Sequence, residues 1–341
     1  MFLKNVSCTE QRVRDWVNAG LQIMAVVPCY NVEAHIAEVV RTMPDYVHAV
    51  ILVDDSSQDQ TGALVDRLAN QRVHPLHLPC NQGVGSAVLA GFARAAELGA
   101  DIIVKMDGDG QMDPYHLPML VEPLVKGKAD YAKGNRFWSR SALAQMPIAR
   151  QIGNAVLSFL TKLASGYWNI FDPTNGYTAI RREVLEFLPV ESIHRRYFFE
   201  SSMLIALGTL AAVVCDVPMP ARYGSEESHL RIGNVLFEFP WELARGFVRR
   251  VWLRKFLYSL TMEAILGGLG LLLMLAGTIF GVIELVHYNF IRGILAPSGT
   301  VMTAALPVLL GFQMIMNALL LDIQSVPTIP LCEEVVFKSK P

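Results

Sequence analysis

Residues Val104 to Pro114 read VKMDGDGQMDP. Three carboxylates and a glutamine crowd together just after the apolar run Asp101–Met106. Carboxylates this close repel one another unless something positive lies between them. Asp107, Asp109 and Gln111 all offer oxygen, and no cysteine or histidine stands in the turn. Hard oxygen donors suit Mg²⁺ or Mn²⁺, which take one or two carboxylates and complete their shell with phosphate and water, so zinc is disfavoured. The competing reading is a solvated acidic turn or a helix cap. Asp113 before Pro114 fits that reading, because it sits where an N-cap belongs. For Asp107 and Asp109, the position of the turn after a strand decides in favour of a cation holding a diphosphate.

That strand is the fourth of a series. Leu21–Cys29 (LQIMAVVPC), Ala49–Val53, Val73–Leu78 and Asp101–Met106 are short apolar runs of strand type. Helical patterns separate them at about Ala34–Met43, at Asp59–Asn70, and after the glycine turn NQGVGSA. Strands alternating with helices predict an α/β fold: a mostly parallel sheet with helices on both faces. In such sheets the ligand crevice lies beyond the carboxyl ends of the strands. Tyr30-Asn31, Asp54-Asp55, Asn81–Gly85 and Asp107–Gln111 all fall there. After about Ala142 the pattern turns helical.

The chain has 341 residues, of which 52% are apolar, and a net charge of -2. That charge gives no support to nucleic acid as a partner. The five cysteines are scattered, as free thiols in a reducing compartment would be. The N-terminus lacks the apolar core of a secretory signal. Much of the apolar excess falls after Leu257. Ala264–Ile283 and Gly293–Leu321 carry no charged residue, and a helix of roughly 20 residues crosses a ~30 Å hydrocarbon core. The short connection predicts a transmembrane hairpin. Arg249, Arg250, Arg254 and Lys255 precede it and Lys338 and Lys340 follow it, which places both termini in the cytoplasm and the protein in the inner (plasma) membrane as a multi-pass chain. Ile232–Ser259 mixes aromatic and basic residues and reads as amphipathic, on the bilayer surface or packed on the domain. The expected organisation is an N-terminal extension (1–20), a catalytic domain (21–231), juxtamembrane helices (232–258), two transmembrane helices (259–324) and a tail (325–341). Gly267, Gly268, Gly270 and Gly277 allow close helix approach, consistent with a homo-oligomer, and Gln313 and Asn317 lie one turn apart as candidates for interhelical contact.

Several stretches together resemble family 2 glycosyltransferases of the GT-A nucleotide-diphosphosugar fold. VVPCYNVE is similar to that family's opening motif, and VDDSSQDQT to its V-D-D-G-S-x-D-x-T, with Ser56 where glycine is usual. NQGVGSA, MDGDGQMDP and KGNRF resemble its later motifs. Arg150, DPTNGYTAIRREVLE and the membrane hairpin extend the likeness to the polyprenyl-phosphate branch, which includes dolichyl-phosphate mannose synthases. The resemblance implies that Asp55 and the Pro28–Tyr30 turn contact the nucleoside, with Glu33 nearby. Asn31 and Gly83, within the same motifs, join them as donor-binding candidates. It implies that Asp107, Asp109 and Gln111 hold the metal, and that Arg136 and Arg150 face phosphates, a task the guanidinium fork suits. The branch's G-x-S-K-L reads YGSEESHLRI here, so His229 stands where a phosphate-facing lysine is usual; either His229 and Arg231 share that role or the chain belongs to a neighbouring subgroup.

The implied reaction moves a hexose from a UDP- or GDP-linked sugar to an oxygen nucleophile. Single displacement inverts the anomeric centre, and no Ser-His-Asp or Cys-His arrangement suggests a covalent route. A polyprenyl phosphate acceptor is anionic at neutral pH, since its second pKa is about 6, and needs no base. A hydroxyl of a lipid-linked sugar or diacylglycerol needs one, and Glu200 is the best-placed candidate. The alternative role for Glu200 is a salt bridge. A third reading is an inactive membrane scaffold, against which the intact Asp107, Asp109, Gln111 and Arg136 argue.

Overall fold

A computed structural model of the chain describes residues 2–138, 148–220 and 232–332. It divides into two compact units, Met1–Phe247 with Pro327–Pro341, and Val248–Val326.

The first unit is built on seven strands: β1 (Ile23–Cys29), β2 (Ala49–Asp54), β3 (Val73–His77), β4 (Ile102–Lys105), β5 (Tyr131–Asn135), β6 (Thr178–Arg181) and β7 (Val214–Pro218). Their order is β3-β2-β1-β4-β6-β5-β7. β3, β2, β1 and β4 run parallel, as the sequence predicts, and β5 pairs parallel with β7. β6 runs antiparallel to both neighbours, so the sheet is mixed. The last three strands were not legible in the sequence. YAKGN and VCDVP carry lysine and aspartate at their centres, and TAIR is four residues ending in arginine, so none offers the continuous apolar run of a buried strand.

The helices of this unit are α1 (Phe2–Asn18), α2 (Ile36–Thr42), α3 (Thr61–Leu68), α4 (Val84–Glu97), α5 (Leu117–Val125), α6 (Ile148–Ser165), α7 (Arg182–Phe187), α8 (Phe199–Leu210) and α9 (Ile232–Arg250). Period-2 alternation in β1 sends its side chains to two cores. Ile23, Ala25, Val27 and Cys29 join one cluster with Val13 of α1, Ile36 and Val39 of α2, and Leu117, Leu120 and Leu124 of α5. Val26 faces α4, where Gly91 lies so close to it and to Val53 that no larger residue fits. The N-terminal segment is thus no loose extension: Val6 and Val13 are fully buried, and Arg12 meets Glu122 of α5 at 2.5 Å. α6, α8 and α9 share a smaller apolar cluster of Ala164, Ile205 and Leu243, so α9 packs one face on the unit while Trp241 stays exposed. Asp130, at the start of β5, is fully buried and accepts hydrogen bonds from Val213 N (2.7 Å), Leu331 N (2.9 Å) and Cys332 N (3.1 Å).

The second unit holds α10 (Met262–Leu285), prolonged by a π-type turn over Val286–Ile291, and α11 (Ser298–Gln324). Their mean hydropathies are 2.3 and 1.9, and only 11% and 6% of their most apolar windows are buried. Such outward-facing leucines are unlike a soluble core helix and suit a bilayer. Gly270 and Gly277 pack within this hairpin: a Cβ on Gly270 would stand 2.8 Å from Gly311 O, and one on Gly277 2.8 Å from Ala304 O. Gln313 and Asn317 do not bridge the pair; both are exposed on α11. At one end, Arg250 grips Asp322 through two bonds of 2.9 and 3.1 Å, and Lys255 reaches Glu263 at 3.0 Å and Ser325 at 2.8 Å.

Candidate active site

The loops after β1 and β2 are laced together. Asn31 donates its N–H to Ser57 Oγ (3.1 Å) and accepts from Gln58 N (2.9 Å) at its Oδ1. Glu33 Oε2 accepts from Gln60 N at 2.8 Å. Ser56 has φ 58, the left-handed region, which explains why glycine is usual there. Asp55 is buried, and its two oxygens accept from Gln82 N (2.8 Å) and Gly83 N (2.7 Å), tying the glycine turn before α4 to β2. Gly83 has φ 93, and a Cβ there would meet Arg195 O at 2.6 Å. Tyr30 is exposed on the rim. Pro28 backs the acidic turn: a Cβ on Gly108 would lie 3.1 Å from its carbonyl oxygen. Hydrogen bonds thus join the loops after β1 and β2 and the glycine turn before α4, and Pro28 brings the first of them against the turn that carries Asp107.

Asp107, Asp109, Gln111, Arg136 and Glu200 converge on one open pocket, together with Asp113, Thr174, Asn175, Gly176 and Tyr177. Asp109 Oδ1 accepts from Gln111 N at 3.0 Å, which closes the turn. Asp113 caps the following helical turn as expected, accepting from Tyr115 N at 3.0 Å with Pro114 at the first position. Arg136 follows β5 and is held by Asp172, whose side chain is fully buried: Nε to Oδ2 at 2.8 Å and Nη2 to Oδ1 at 3.0 Å. A fork fixed this way presents its outer edge to the pocket with little orientational freedom left to lose.

The residue that sequence reasoning missed is Lys105. Its side chain is only 2% exposed, and its Nζ lies 2.6 Å from Asp107 Oδ1 and 3.2 Å from Glu200 Oε1. Burial pulls the ammonium's pKa down, but the charges of Asp107 and Glu200 outweigh it and hold the pKa above the usual lysine range. Glu200 thus both lines the pocket and makes the ion pair that was its alternative role. Lys105 has a second buried neighbour on the same row. Thr178 of β6 pairs with Lys105 on one side and Lys133 on the other, and Lys133 pairs with Asp216 of β7. Lys133 Nζ donates to Asn175 O, bracing the loop that holds Asp172, and burial lowers its pKa to about 8. A lysine inside an apolar strand is the signal that could have found this row. Arg150 lies in the first turn of α6, but its side chain is outside the described residues, as are His229 and Arg231.

The donor set fits a hard divalent cation. Asp107, Asp109 and Gln111 offer only oxygen to the pocket, and Gly176 leaves room beside Asp107 Oδ2 that a Cβ, 2.5 Å away, would fill. Among the described residues no three His, Cys, Asp or Glu side chains gather as a complete metal cage. Ions of this kind are commonly completed by substrate phosphate.

Residues 24–188 match the family model described as "Glycosyl transferase family 2". A UDP-N-acetylglucosamine–dolichyl-phosphate N-acetylglucosaminyltransferase of Methanococcus voltae is 31% identical over 64% of this chain and 92% of its own length. The chain belongs to glycosyltransferase family 2. Two further relatives are similar to it. A polyprenol monophosphomannose synthase of Mycolicibacterium smegmatis is 33% identical over 58% of this chain and 76% of its own. An undecaprenyl-phosphate mannosyltransferase of Micrococcus luteus is 30% identical over 58% and 83%. Among solved structures, glucosyl-3-phosphoglycerate synthase from Mycobacterium tuberculosis, in complex with Mg²⁺ and UDP, superposes with a TM-score of 0.51 at 22% identity, over 69% of this chain and 80% of that one. That likeness shows the GT-A fold expected of the family.

Proposed function

We propose that this glycosyltransferase moves a hexose from a nucleotide-diphosphate sugar to a membrane polyprenyl phosphate at the cytoplasmic face, with inversion. The observation that carries the reading is the shared pocket: oxygen donors of Asp107, Asp109 and Gln111 on one side, and the Asp172-locked fork of Arg136 on the other. Asp107, Asp109 and Gln111 would hold Mg²⁺ or Mn²⁺, and such an ion neutralises charge growing on the leaving diphosphate. Arg136 orients a phosphate oxygen and stabilises its charge. The loops that carry Pro28, Tyr30, Asn31, Glu33, Asp55 and Gly83 would receive the nucleoside.

Glu200 favours a phosphate acceptor over a hydroxyl. Protonating it would break its ion pair with a buried ammonium, which does not suit a general base. The names of the three relatives, each acting on a polyprenyl or dolichyl phosphate, support the same acceptor class.

The bilayer is the partner of the second unit, and a covalent membrane anchor suits an enzyme whose acceptor stays in the headgroup layer. Trp252, Phe256, Leu257, Tyr258 and Leu260 are exposed ahead of α10, a composition suited to the interface. The chain leaves the first unit before Val248 and rejoins it at Leu331 and Cys332, on Asp130. An even number of crossings is the simplest path that brings both ends to one side, and the basic residues before α10 favour the cytoplasm.

The deciding experiment incubates purified protein in detergent with a panel of UDP- and GDP-sugars and polyprenyl phosphate, and weighs the lipid product. A product heavier by one hexosyl group supports the reading. Transfer only to a lipid hydroxyl would replace it with the general-base alternative.

A further inference from the structure

Lys105 is a resident cation at the acidic turn. Its ammonium stands between Asp107 Oδ1 and Glu200 Oε1, sealed from solvent. Only glycine fits at position 176, where a Cβ would strike both the ammonium and Asp107 Oδ2. The lysine cannot swing out of this slot without leaving two carboxylates facing one another. One oxygen of Asp107 is therefore engaged before any metal arrives, and Glu200 is held on the lysine rather than offered as a further ligand.

We propose that Lys105 keeps the metal site incomplete by design of charge and position, so that the divalent ion binds together with the nucleotide diphosphate and not ahead of it. This rests on the metal-dependent reading given above. A fixed positive charge close to a dication's seat opposes it by Coulomb repulsion, and more strongly where water is excluded. The diphosphate supplies the negative charge and the oxygens that the pocket withholds. On this reading Asp107, Asp109 and Gln111 would hold the ion firmly only while a diphosphate completes its shell. Lys105 is in this sense a positioning residue that acts through Asp107 and Glu200.

The test is Mn²⁺ binding, measured by equilibrium dialysis on the purified full chain, without nucleotide and with UDP or GDP in separate arms. Wild-type protein is expected to bind Mn²⁺ at least tenfold more tightly in the better nucleotide arm. Lys105→Gln, which keeps a hydrogen-bond donor but removes the charge, is expected to tighten nucleotide-free binding at least fivefold. Adding Glu200→Gln should abolish that gain, because it removes the carboxylate that Lys105 restrained. A lysine that serves folding alone would lower the melting temperature without tightening Mn²⁺ binding, and folded Lys105→Gln with unchanged or weaker binding overturns the proposal. Where Lys105→Gln does not fold, Lys105→Met is the second variant, and the wild-type comparison stands by itself: equal affinity with and without nucleotide also overturns it. No Mn²⁺ binding in any nucleotide arm would overturn the metal assignment itself, and this role with it.

Discussion

At the scale of single residues, the pocket depends on charges whose partners are fixed. Asp109→Ala removes one oxygen donor while leaving the buried Lys105–Asp107 pair intact. It should abolish most turnover with little change in melting temperature; full turnover in the presence of chelator would sink the metal assignment. Glu200→Gln separates the two acceptor classes. Removing a true general base typically costs 10²–10⁴-fold, whereas a phosphate acceptor needs none, so this variant should keep at least about a tenth of wild-type turnover on polyprenyl phosphate. A thousandfold fall with unchanged donor binding would move the reading to a hydroxyl acceptor. Asp216 yields a pH prediction. Burial raises its pKa to about 6, although Asn135 Nδ2 donates to it at 2.6 Å. The folded state therefore holds this proton more tightly than the unfolded chain, whose carboxyl titrates near 3.9. Stability falls as pH rises between those two values, and the cost is complete above about 6. Asp216→Asn should raise stability at pH 7 by an amount on the order of 1 kcal/mol after allowing for its partial exposure, read as a higher melting temperature, and should give no gain at pH 4. Equal shifts at both pH values would contradict this account.

At the scale of elements, the two apolar helices approach through glycine. Gly311 sits with its Cα against Gly270, and a Cβ there would lie 2.5 Å from Gly270 O. Without a hydrophobic driving force between helices in lipid, such backbone contact is a main source of their association. Gly311→Val should part the hairpin and lower the detergent melting temperature, while Gly299→Val, at a position open to space, should not. Equal effects would mean that the glycine contact does not hold the pair. The same packing bears on the expectation of a homo-oligomer, because Gly270 and Gly277 are used inside the hairpin.

At the scale of the whole molecule, the path of the chain makes a topological prediction. Both ends of the two-helix segment continue into the first unit, the later one through the backbone of Leu331 and Cys332 on Asp130. Tags at both termini should be protected in sealed right-side-out membranes, and a tag near Ala296 should be reached from outside. Exposure of only one terminus would show that the segment does not cross twice.

The sequence alone determined the parts of this protein whose signals are local. The parallel half of the sheet, the acidic turn after β4, the Asp113 cap and the two apolar helices each follow from periodicity, capping chemistry or length within one segment. What the tertiary structure decided involves residues far apart in the chain. β5, β6 and β7 are strands because their polar side chains find one another across the sheet, Lys105 beside Thr178, Thr178 beside Lys133, and Lys133 beside Asp216. The same holds for Lys105 between Asp107 and Glu200, for Arg136 on Asp172, and for Asp130 on the returning chain. A buried charge is stable only beside its partner. Lys105 and Asp107 are near neighbours in the chain, but Glu200, Asp172 and the returning chain at Leu331 stand far from their partners, so only the fold could reveal those pairings.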